Sequence, residues 1–278
     1  MVIPRRRFLK IAGSLAATAP FSSLTFGKEK KISVGIVGGG IIGASIAMHL
    51  SRTGTHVTLF EKSAPATGAT GKSFAWINAF SNDPHYRSLR LKSISAYHEL
   101  DRQLQLQIIW GGAIHWAVNL AEAEIMKANV AEFNQTGYSA QVITPEYLAE
   151  LAPNLRLGPF VAASFTPLDG HLDPISTTRA FLDQAKQHGA KIVYPCEVTE
   201  LHFERNRFTG ISTTTGTYLL DRLVIAGGVD TPTLAAKAGY TPPLIHAPGI
   251  LVHTKQTVPL ISQVIESPHM YFKQYRDG

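Results

Sequence analysis

The chain has 278 residues, of which 45% are hydrophobic and 17% are charged, an ordinary composition for a globular protein with a sizeable buried core. The net charge of +6 does not indicate a polyanionic partner, because residues 1–31 hold seven basic side chains against one acidic one. The rest of the chain is therefore neutral and has no electrostatic reason to bind nucleic acid or an anionic membrane. The single cysteine, Cys196, excludes a disulfide within these residues and a Cys-rich metal site, and it is predicted to be buried.

The first predicted element is an export signal over residues 1–31. Arg5-Arg6 is followed by one variable residue and then by Phe8-Leu9-Lys10, which is the pattern of a twin-arginine signal. The uncharged run over residues 11–27 is rich in Ala, Ser and Thr and contains Pro20, so it is a poor membrane helix. We expect the twin-arginine machinery to export the protein to the periplasm, with membrane anchoring if the signal stays uncleaved. The alternative is a disordered basic tail.

Residues 32–61 predict a dinucleotide-binding β-α-β unit. A β-branched strand leads into a G-x-G-x-x-G turn, and a helix predicted over 41–52 connects this turn to a second strand. Gly38 permits the tight turn, Gly40 lets the backbone approach a pyrophosphate, and Gly43 lets the helix pack closely on the strand. The N-terminus of the helix then faces the phosphates.

An acidic residue, Glu61, ends the second strand, 18 positions after the last glycine of the turn. At this place an acid accepts hydrogen bonds from the ribose hydroxyls of an adenosine. Its charge also argues against a cofactor with a 2′-phosphate, because two negative groups would meet. The motif alone leaves both NAD and FAD open.

Two further segments are predicted to frame the nucleotide. Ile42 begins a series of apolar residues at four-residue steps, which we expect to face the sheet. The Gly- and Thr-rich loop over residues 64–73 is a candidate second phosphate contact through Thr70 and Ser73; the alternative is a flexible connector. The apolar residues 74–78 then predict a short strand near the site.

Residues 84–164 do not alternate strand and helix regularly. The segment begins with a long helical pattern whose apolar stripe includes Tyr86 and Leu89, and Arg87 and Arg102 lie off that stripe. Further strand and helix patterns follow. We therefore predict a second, mixed domain inserted into the nucleotide-binding one.

Regular α/β structure returns at Asp169–Pro174, where Asp173 is a candidate helix cap. A strand over 190–194 is expected to run parallel to the first two strands. Three short strands over residues 198–220, joined by tight turns, predict a β-meander. The apolar run over 223–228 then predicts a buried strand that ends in small residues.

The succession of these blocks resembles the FAD-dependent D-amino-acid oxidase superfamily, which includes glycine oxidase, sarcosine oxidase and the D-amino-acid dehydrogenases. The blocks that carry the resemblance are Val34–Glu61, Gly68–Asn78, Gly170–Pro174 and Leu223–Thr231. The resemblance implies an α/β fold with an FAD-type Rossmann domain, made of the β-α-β unit and a three-stranded meander, over residues 32–83 and 165–240. It also implies an inserted mixed α+β substrate domain over residues 84–164 and 241–278.

The resemblance implies FAD as the cofactor. The meander favours FAD as well, because three antiparallel strands replace a crossover helix in FAD-type Rossmann domains. The resemblance places the glycine turn at the pyrophosphate, Glu61 at the adenosine ribose, and Lys62 and Val198 at the adenine. The predicted cofactor-binding residues are Gly38, Gly40, Ile42, Gly43, Glu61, Lys62, Thr70, Ser73, Val198, Ala226, Gly227 and Gly228.

Members of the resembled family usually continue past the turn that corresponds to Asp277-Gly278. They complete the substrate sheet there and add a Gly-rich turn that cups the flavin ring. We therefore expect a C-terminally truncated chain with an incomplete substrate domain. In addition, Lys72-Ser73 departs from the small hydroxyl residue that is usual in the loop.

Three functions stay open at this point. The first is an FAD enzyme that oxidises the C–N bond of an amino acid or secondary amine by hydride transfer to flavin N5, with oxygen or quinone as electron acceptor. The second is an NAD-dependent dehydrogenase, and the third is a non-catalytic remnant that binds only nucleotide. We assign no catalytic residue, because the cofactor supplies the chemistry, and no His, Asp or Glu cluster has metal-ligand spacing.

Overall fold

A computed structural model of the protein describes residues 32–156, 158–245, 247–267 and 269–278, so the predicted export signal lies outside the described residues. The elements of the first half are, in chain order, β1 (Ser33–Val37), α1 (Ile41–Arg52), β2 (His56–Phe60), β3 (Trp76–Ile77), α2 (Pro84–Leu104), β4 (Ala113–Ala117), α3 (Leu120–Gln135), β5 (Gln141–Ile143), α4 (Pro145–Leu151) and β6 (Ala162–Thr166). The elements of the second half are β7 (Gly170–His171), α5 (Pro174–Gln187), β8 (Lys191–Val193), β9 (Val198–Glu204), β10 (Arg207–Thr213), β11 (Gly216–Leu219), β12 (Arg222–Ile225), α6 (Thr231–Ala236), β13 (Val264–Glu266) and β14 (Tyr271–Phe272). Among these described helices, none combines the length and the apolar character that crossing a membrane requires.

Four parallel strands form the nucleotide sheet, in the order β12-β1-β2-β8. β1 lies inside this sheet, and all of its residues after Ser33 are buried, as expected for a β-branched strand with neighbours on both sides. Helix α1 connects β1 to β2, shares one hydrophobic cluster with both strands and packs against α5. The predicted β-α-β unit and the predicted parallel strand at β8 are thus confirmed.

Three antiparallel strands form a small meander sheet in the order β11-β10-β9, as predicted. Arg205 and Asn206 join the first two strands with positive φ angles of 47° and 62°, the backbone geometry of a tight two-residue hairpin turn. Ile211 of the meander and Phe60 of β2 are both fully buried in one cluster. The meander therefore packs on the nucleotide sheet where β2 ends.

Five strands form a second large sheet in the order β14-β13-β4-β6-β5. β13 runs parallel to β4, and the other neighbours are antiparallel. Ile114, Phe165 and Ile265 are buried in its core cluster. Both segments of the predicted substrate domain contribute strands to this sheet. The two-domain division itself stays a prediction, because contacts group residues 32–278 as one unit and β6 extends across the predicted boundary at residue 165.

Helix α1 has the predicted bounds, but the predicted direction of Ile42 is wrong. Ile42 is 63% exposed, and the buried face consists of small residues and Met48, including Ala44 and Ala47. The reason is that α1 packs against α5 as well as against the sheet. Its buried face therefore turns toward residues small enough for close helix approach, and Ile42 is left at the open end of the sheet.

The first turns of α2 also differ from the predicted pattern. Tyr86 and Leu89 are exposed, and Arg87 is fully buried. The guanidinium of Arg87 donates to the backbone carbonyl of Ser81 and forms an ion pair with Glu132 of α3 at 2.7 Å. A charged side chain thus fills the space between α2 and α3, which the local periodicity of α2 does not indicate.

Candidate functional site

A cavity of about 880 Å³ lies at the carboxyl ends of β1, β2 and β12. We call it the nucleotide cavity. Eleven of the twelve predicted cofactor-binding residues line it: Gly38, Gly40, Ile42, Glu61, Lys62, Thr70, Ser73, Val198, Ala226, Gly227 and Gly228. The structure therefore brings together residues that lie up to 190 positions apart in the sequence. Their assignment as FAD ligands stays a prediction.

The glycines of the turn have the close contacts that the motif predicts. Gly38 has a φ of +111°, and a Cβ there would lie 2.3 Å from the carbonyl oxygen of Ala226. Gly43 is the predicted residue that does not line the cavity; a Cβ at this position would lie 2.0 Å from the carbonyl oxygen of Gly38. Gly43 therefore acts by allowing close packing of the helix on the turn, as predicted, and does not itself reach the cavity.

The N-terminus of α1 opens into the nucleotide cavity. Its N-cap is Gly40, which offers no capping side chain. Thr70 reaches this end from the loop after β2, and its Oγ1 accepts a hydrogen bond from the backbone N–H of Ile41 at 3.0 Å. The helix dipole and the backbone N–H groups of this end suit a diphosphate, and Thr70 lies beside that position.

Glu61 lies at the edge of the nucleotide cavity with both oxygens engaged. Oε2 accepts from the backbone N–H of Gly39 at 2.7 Å, and Oε1 accepts from the N–H of Ser63 at 2.9 Å. These bonds fix the carboxylate and still leave lone pairs for the hydroxyls of a ribose. The geometry fits the role that the sequence predicts for Glu61.

Lys62 lines the same cavity, but its ammonium group is engaged. Nζ lies 2.6 Å from Oδ2 of Asp230, and this hydrogen bond and charge raise the pKa of Lys62. Lys62 follows β2 and Asp230 follows β12, the two strands on either side of β1. The prediction named Lys62 and missed Asp230, because nothing in the local sequence around residue 230 indicates this partner.

A second cavity, of about 220 Å³, adjoins the nucleotide cavity; we call it the side cavity. The two share Ile41, Thr70 and Ser73 as lining residues. The side cavity then extends away from Glu61, and its other lining residues include Trp76, Asn78, Arg90, Tyr97, Leu172 and Pro174. A dinucleotide with its diphosphate at the N-terminus of α1 would therefore place adenosine beside Glu61 and its other half toward the side cavity.

Arg90 and Tyr97 of α2 line the side cavity, and the sequence prediction missed both. Arg90 donates to the backbone carbonyls of Asn78 and Phe80 at 2.9 and 2.7 Å, so its guanidinium holds the chain that leads into α2. Burial raises the pKa of Tyr97. Their spacing on one helix face was visible in the sequence, but the cavity that they line was not.

Two basic side chains, the buried His171 and the half-buried Lys273, lie next to Leu172, which lines the side cavity. His171 is fully buried, and its Nε2 lies 3.2 Å from the carbonyl oxygen of Ser262. Burial and the nearby charge of Lys273 lower the pKa of His171 to about 4. Burial lowers the pKa of Lys273 to about 8, and its Nζ donates to the carbonyl of Leu172 at 2.8 Å. Each of the two side chains is therefore held against a backbone carbonyl.

Asp169 is a fully buried acid in the turn between β6 and β7. Its oxygens accept from the hydroxyl of Tyr138 at 2.5 Å and from Nε1 of Trp76 at 2.9 Å. Burial raises the pKa of Asp169 to about 7, and these two donors oppose that rise. No local pattern indicates the burial of this acid, because an Asp before a Gly is typical of a solvated turn.

Cys196 is a free cysteine, and it is buried as predicted. Its Sγ lies 3.1 Å from the hydroxyl of Thr215. Among the residues that the structure describes, no group of three or more His, Cys, Asp or Glu side chains is placed to hold a metal ion.

A parallel sheet with a glycine turn, an acid at the end of the second strand and an added meander defines a dinucleotide-binding protein of the Rossmann type. Residues 33–278 match the DAO family, described as FAD dependent oxidoreductase. The chain belongs to this family. The match confirms the predicted fold class and FAD as the cofactor of the family, and it does not favour the NAD-dependent alternative.

Three similar proteins illustrate the relationship. The mitochondrial dimethylglycine dehydrogenase of Mus musculus is 28% identical over 255 residues, which cover 87% of this chain and 29% of that protein. The sarcosine oxidase subunit beta of Arthrobacter sp is 26% identical, with 87% of this chain and 62% of that protein covered. The crystal structure of L-proline dehydrogenase from P. horikoshii superposes with a TM-score of 0.77 at 26% identity, covering 89% of this chain and 68% of that one. The chain thus spans less than a third of the length of the dimethylglycine dehydrogenase.

Proposed function

We propose that this chain is an FAD-dependent enzyme that oxidises the C–N bond of an amino acid or secondary amine. The observation that carries the proposal is the nucleotide cavity, into which the N-terminus of α1 opens, with a fixed Glu61 on one side and the side cavity on the other. Family membership supports FAD as the dinucleotide. The names of the three relatives support amino acids as substrates, since they specify dimethylglycine, sarcosine and L-proline.

The residues present fit FAD by their chemistry. The N-terminus of α1 is suited to bind the diphosphate, and the Glu61 carboxylate to accept from the ribose hydroxyls. The side cavity is suited to receive the flavin half, where Trp76 and Leu172 would exclude water and orient the reacting C–H bond. When bound, FAD supplies the acceptor for the hydride of the substrate α-carbon at its N5, and water then hydrolyses the resulting imine.

The test uses the purified chain after incubation with FAD and removal of excess cofactor. We expect retained flavin absorbance, which is bleached without oxygen by at least one of sarcosine, dimethylglycine, L-proline and glycine. Bound flavin that none of these amines reduces would favour the non-catalytic remnant. A chain that retains no FAD would contradict the proposal.

We propose oxygen or a quinone as the electron acceptor. Reoxidation of the reduced protein distinguishes the two: formation of hydrogen peroxide in air identifies an oxidase, and turnover only with a soluble quinone identifies a dehydrogenase.

We also propose export through the twin-arginine pathway. Support for export comes from the sequence of residues 1–31.

A further inference from the structure

A buried carboxylate lies behind the side cavity and has no part in the proposed chemistry. Asp169 belongs to the short turn that connects β6 of the five-stranded sheet to β7, which pairs with β3. Its side chain is fully buried. Burying an acid is costly unless its oxygens have partners, so the contacts of Asp169 require an explanation.

The two oxygens of Asp169 hold side chains from two distant segments. Oδ2 accepts from Nε1 of Trp76 in β3 at 2.9 Å, and Oδ1 accepts from the hydroxyl of Tyr138, after α3, at 2.5 Å. The backbone carbonyl of Asp169 also accepts from the N–H of Gly112, ahead of β4. One residue therefore connects three segments that are far apart in the sequence.

Trp76 is the member of this group that reaches the candidate site. Its side chain lines the side cavity and also an inner cavity of about 70 Å³, which Tyr138, Thr166 and Glu266 line on other sides. The indole therefore separates the two cavities. The ring of Tyr271 is in edge-on contact with the Trp76 indole at a centroid distance of 6.0 Å. The ring has empty space behind it, so packing alone does not fix its orientation.

We infer that Asp169 is a positioning residue, whose hydrogen bond to Nε1 fixes the Trp76 indole as the wall between the side cavity and the inner cavity. The inference rests on the proposed function, which places the flavin half in the side cavity. The indole N–H can only donate and needs an acceptor when buried. Without Asp169, the ring gains an alternative position toward the inner cavity, and the side cavity changes shape.

The same chemistry identifies a conservative replacement. An Asn at position 169 still offers a carbonyl oxygen to Nε1 of Trp76, and its amide can donate to the Tyr138 hydroxyl, which accepts as well as donates. Asp169→Asn therefore keeps the Trp76 hydrogen bond. Asp169→Leu has a similar size but offers no acceptor, and it leaves the indole N–H without a partner.

The experiment uses the full chain loaded with FAD and labelled with 5-fluorotryptophan. The sequence contains three tryptophans, and single Phe substitutions assign their fluorine resonances. We expect Asp169→Leu to shift or split the Trp76 resonance, with Trp110 and Trp116 unchanged, and Asp169→Asn to leave all three in place. Tyr138→Phe is the matched control, because it removes the other hydrogen bond to the same carboxylate and leaves the Trp76 resonance unchanged.

The flavin provides the second readout. With an amine that reduces the flavin, we expect Asp169→Leu to slow reduction at least about tenfold, and to add no further loss when Trp76 is already Phe. An unchanged Trp76 resonance in Asp169→Leu, or an equal shift in Tyr138→Phe, overturns the inference. If no amine reduces the flavin, the proposed function fails and the resonances still decide the role of Asp169.

Should Asp169→Leu fail to fold, Trp76→Phe replaces it. The visible spectrum of bound flavin must then differ between Trp76→Phe and the wild type, and Asp169→Asn must retain the wild-type spectrum. Identical spectra in Trp76→Phe and the wild type, or a changed spectrum in Asp169→Asn, contradict the inference.

Discussion

Gly43 has no room for a side chain, because a Cβ there would lie 2.0 Å from the carbonyl oxygen of Gly38. We predict that Gly43→Ala displaces the start of α1 from the glycine turn and so moves the N–H groups that face the diphosphate. FAD should then bind at least about tenfold more weakly, a loss of about 1.4 kcal/mol, and overpacking should lower stability by about 1–3 kcal/mol. Titration of the FAD-free chain with FAD, followed by flavin fluorescence, measures the change in Kd.

The matched control at this scale is Gly158→Ala. Gly158 lines neither the nucleotide cavity nor the side cavity, and a Cβ there meets no atom within 4 Å. Its FAD affinity should therefore stay at the wild-type value. An unchanged Kd in Gly43→Ala would show that contact with Gly38 does not set the position of the helix N-terminus.

At the scale of elements, two of the three arginines of α2, Arg87 and Arg102, are not distinguished by its sequence pattern. Arg87 is fully buried and bonded to Ser81 and Glu132, whereas Arg102 is exposed beside Glu99. We predict that Arg87→Met lowers the free energy of unfolding by about 2–4 kcal/mol, because the Ser81 carbonyl and Glu132 lose a fully buried charged donor. Arg102→Met should cause no measurable change. Urea unfolding of both variants measures the difference; equal effects would contradict the assigned role of Arg87.

A comparison of these elements with α2 shows how much of the fold the sequence predicts. The bounds of α1, the meander and the cap at Asp173 followed from signals within a few residues, namely periodicity, glycines and an N-cap side chain. The burial of Arg87 depends on Glu132, 45 positions later, and no local periodicity encodes it. The part of the site formed by the glycine turn and Glu61 was predictable, because these residues form one compact motif.

The contacts behind the side cavity, in contrast, could not be predicted from the local sequence. Trp76 and Asp169 are 93 positions apart, and each alone suggests an ordinary residue of an apolar strand or a polar turn. Their pairing requires the five-stranded sheet and the β3–β7 pair to meet, which is a tertiary event. Sequence reasoning therefore located the adenosine side of the site and missed what shapes its other side.

At the scale of the whole molecule, charge divides the chain into a neutral body and a basic N-terminal segment, the predicted leader. All of the net charge of +6 belongs to residues 1–31, and residues 32–278 sum to zero. The body belongs to an FAD-dependent family, and twin-arginine export carries proteins that have folded with their cofactor. The proposed export would therefore follow FAD insertion.

We therefore predict that the paired substitution Arg5→Lys and Arg6→Lys abolishes export and retains the protein in the cytoplasm. This change preserves the charge and removes only the arginine pair that the machinery reads. The control is Lys28→Gln with Lys30→Gln, which removes two charges from the same leader outside the motif and should leave export intact. Immunoblots of periplasmic and cytoplasmic fractions from a bacterial host with this pathway measure both. Export of the Arg5→Lys and Arg6→Lys variant at the wild-type level, or loss of export in the control, would show that net charge and not the arginine pair directs the leader.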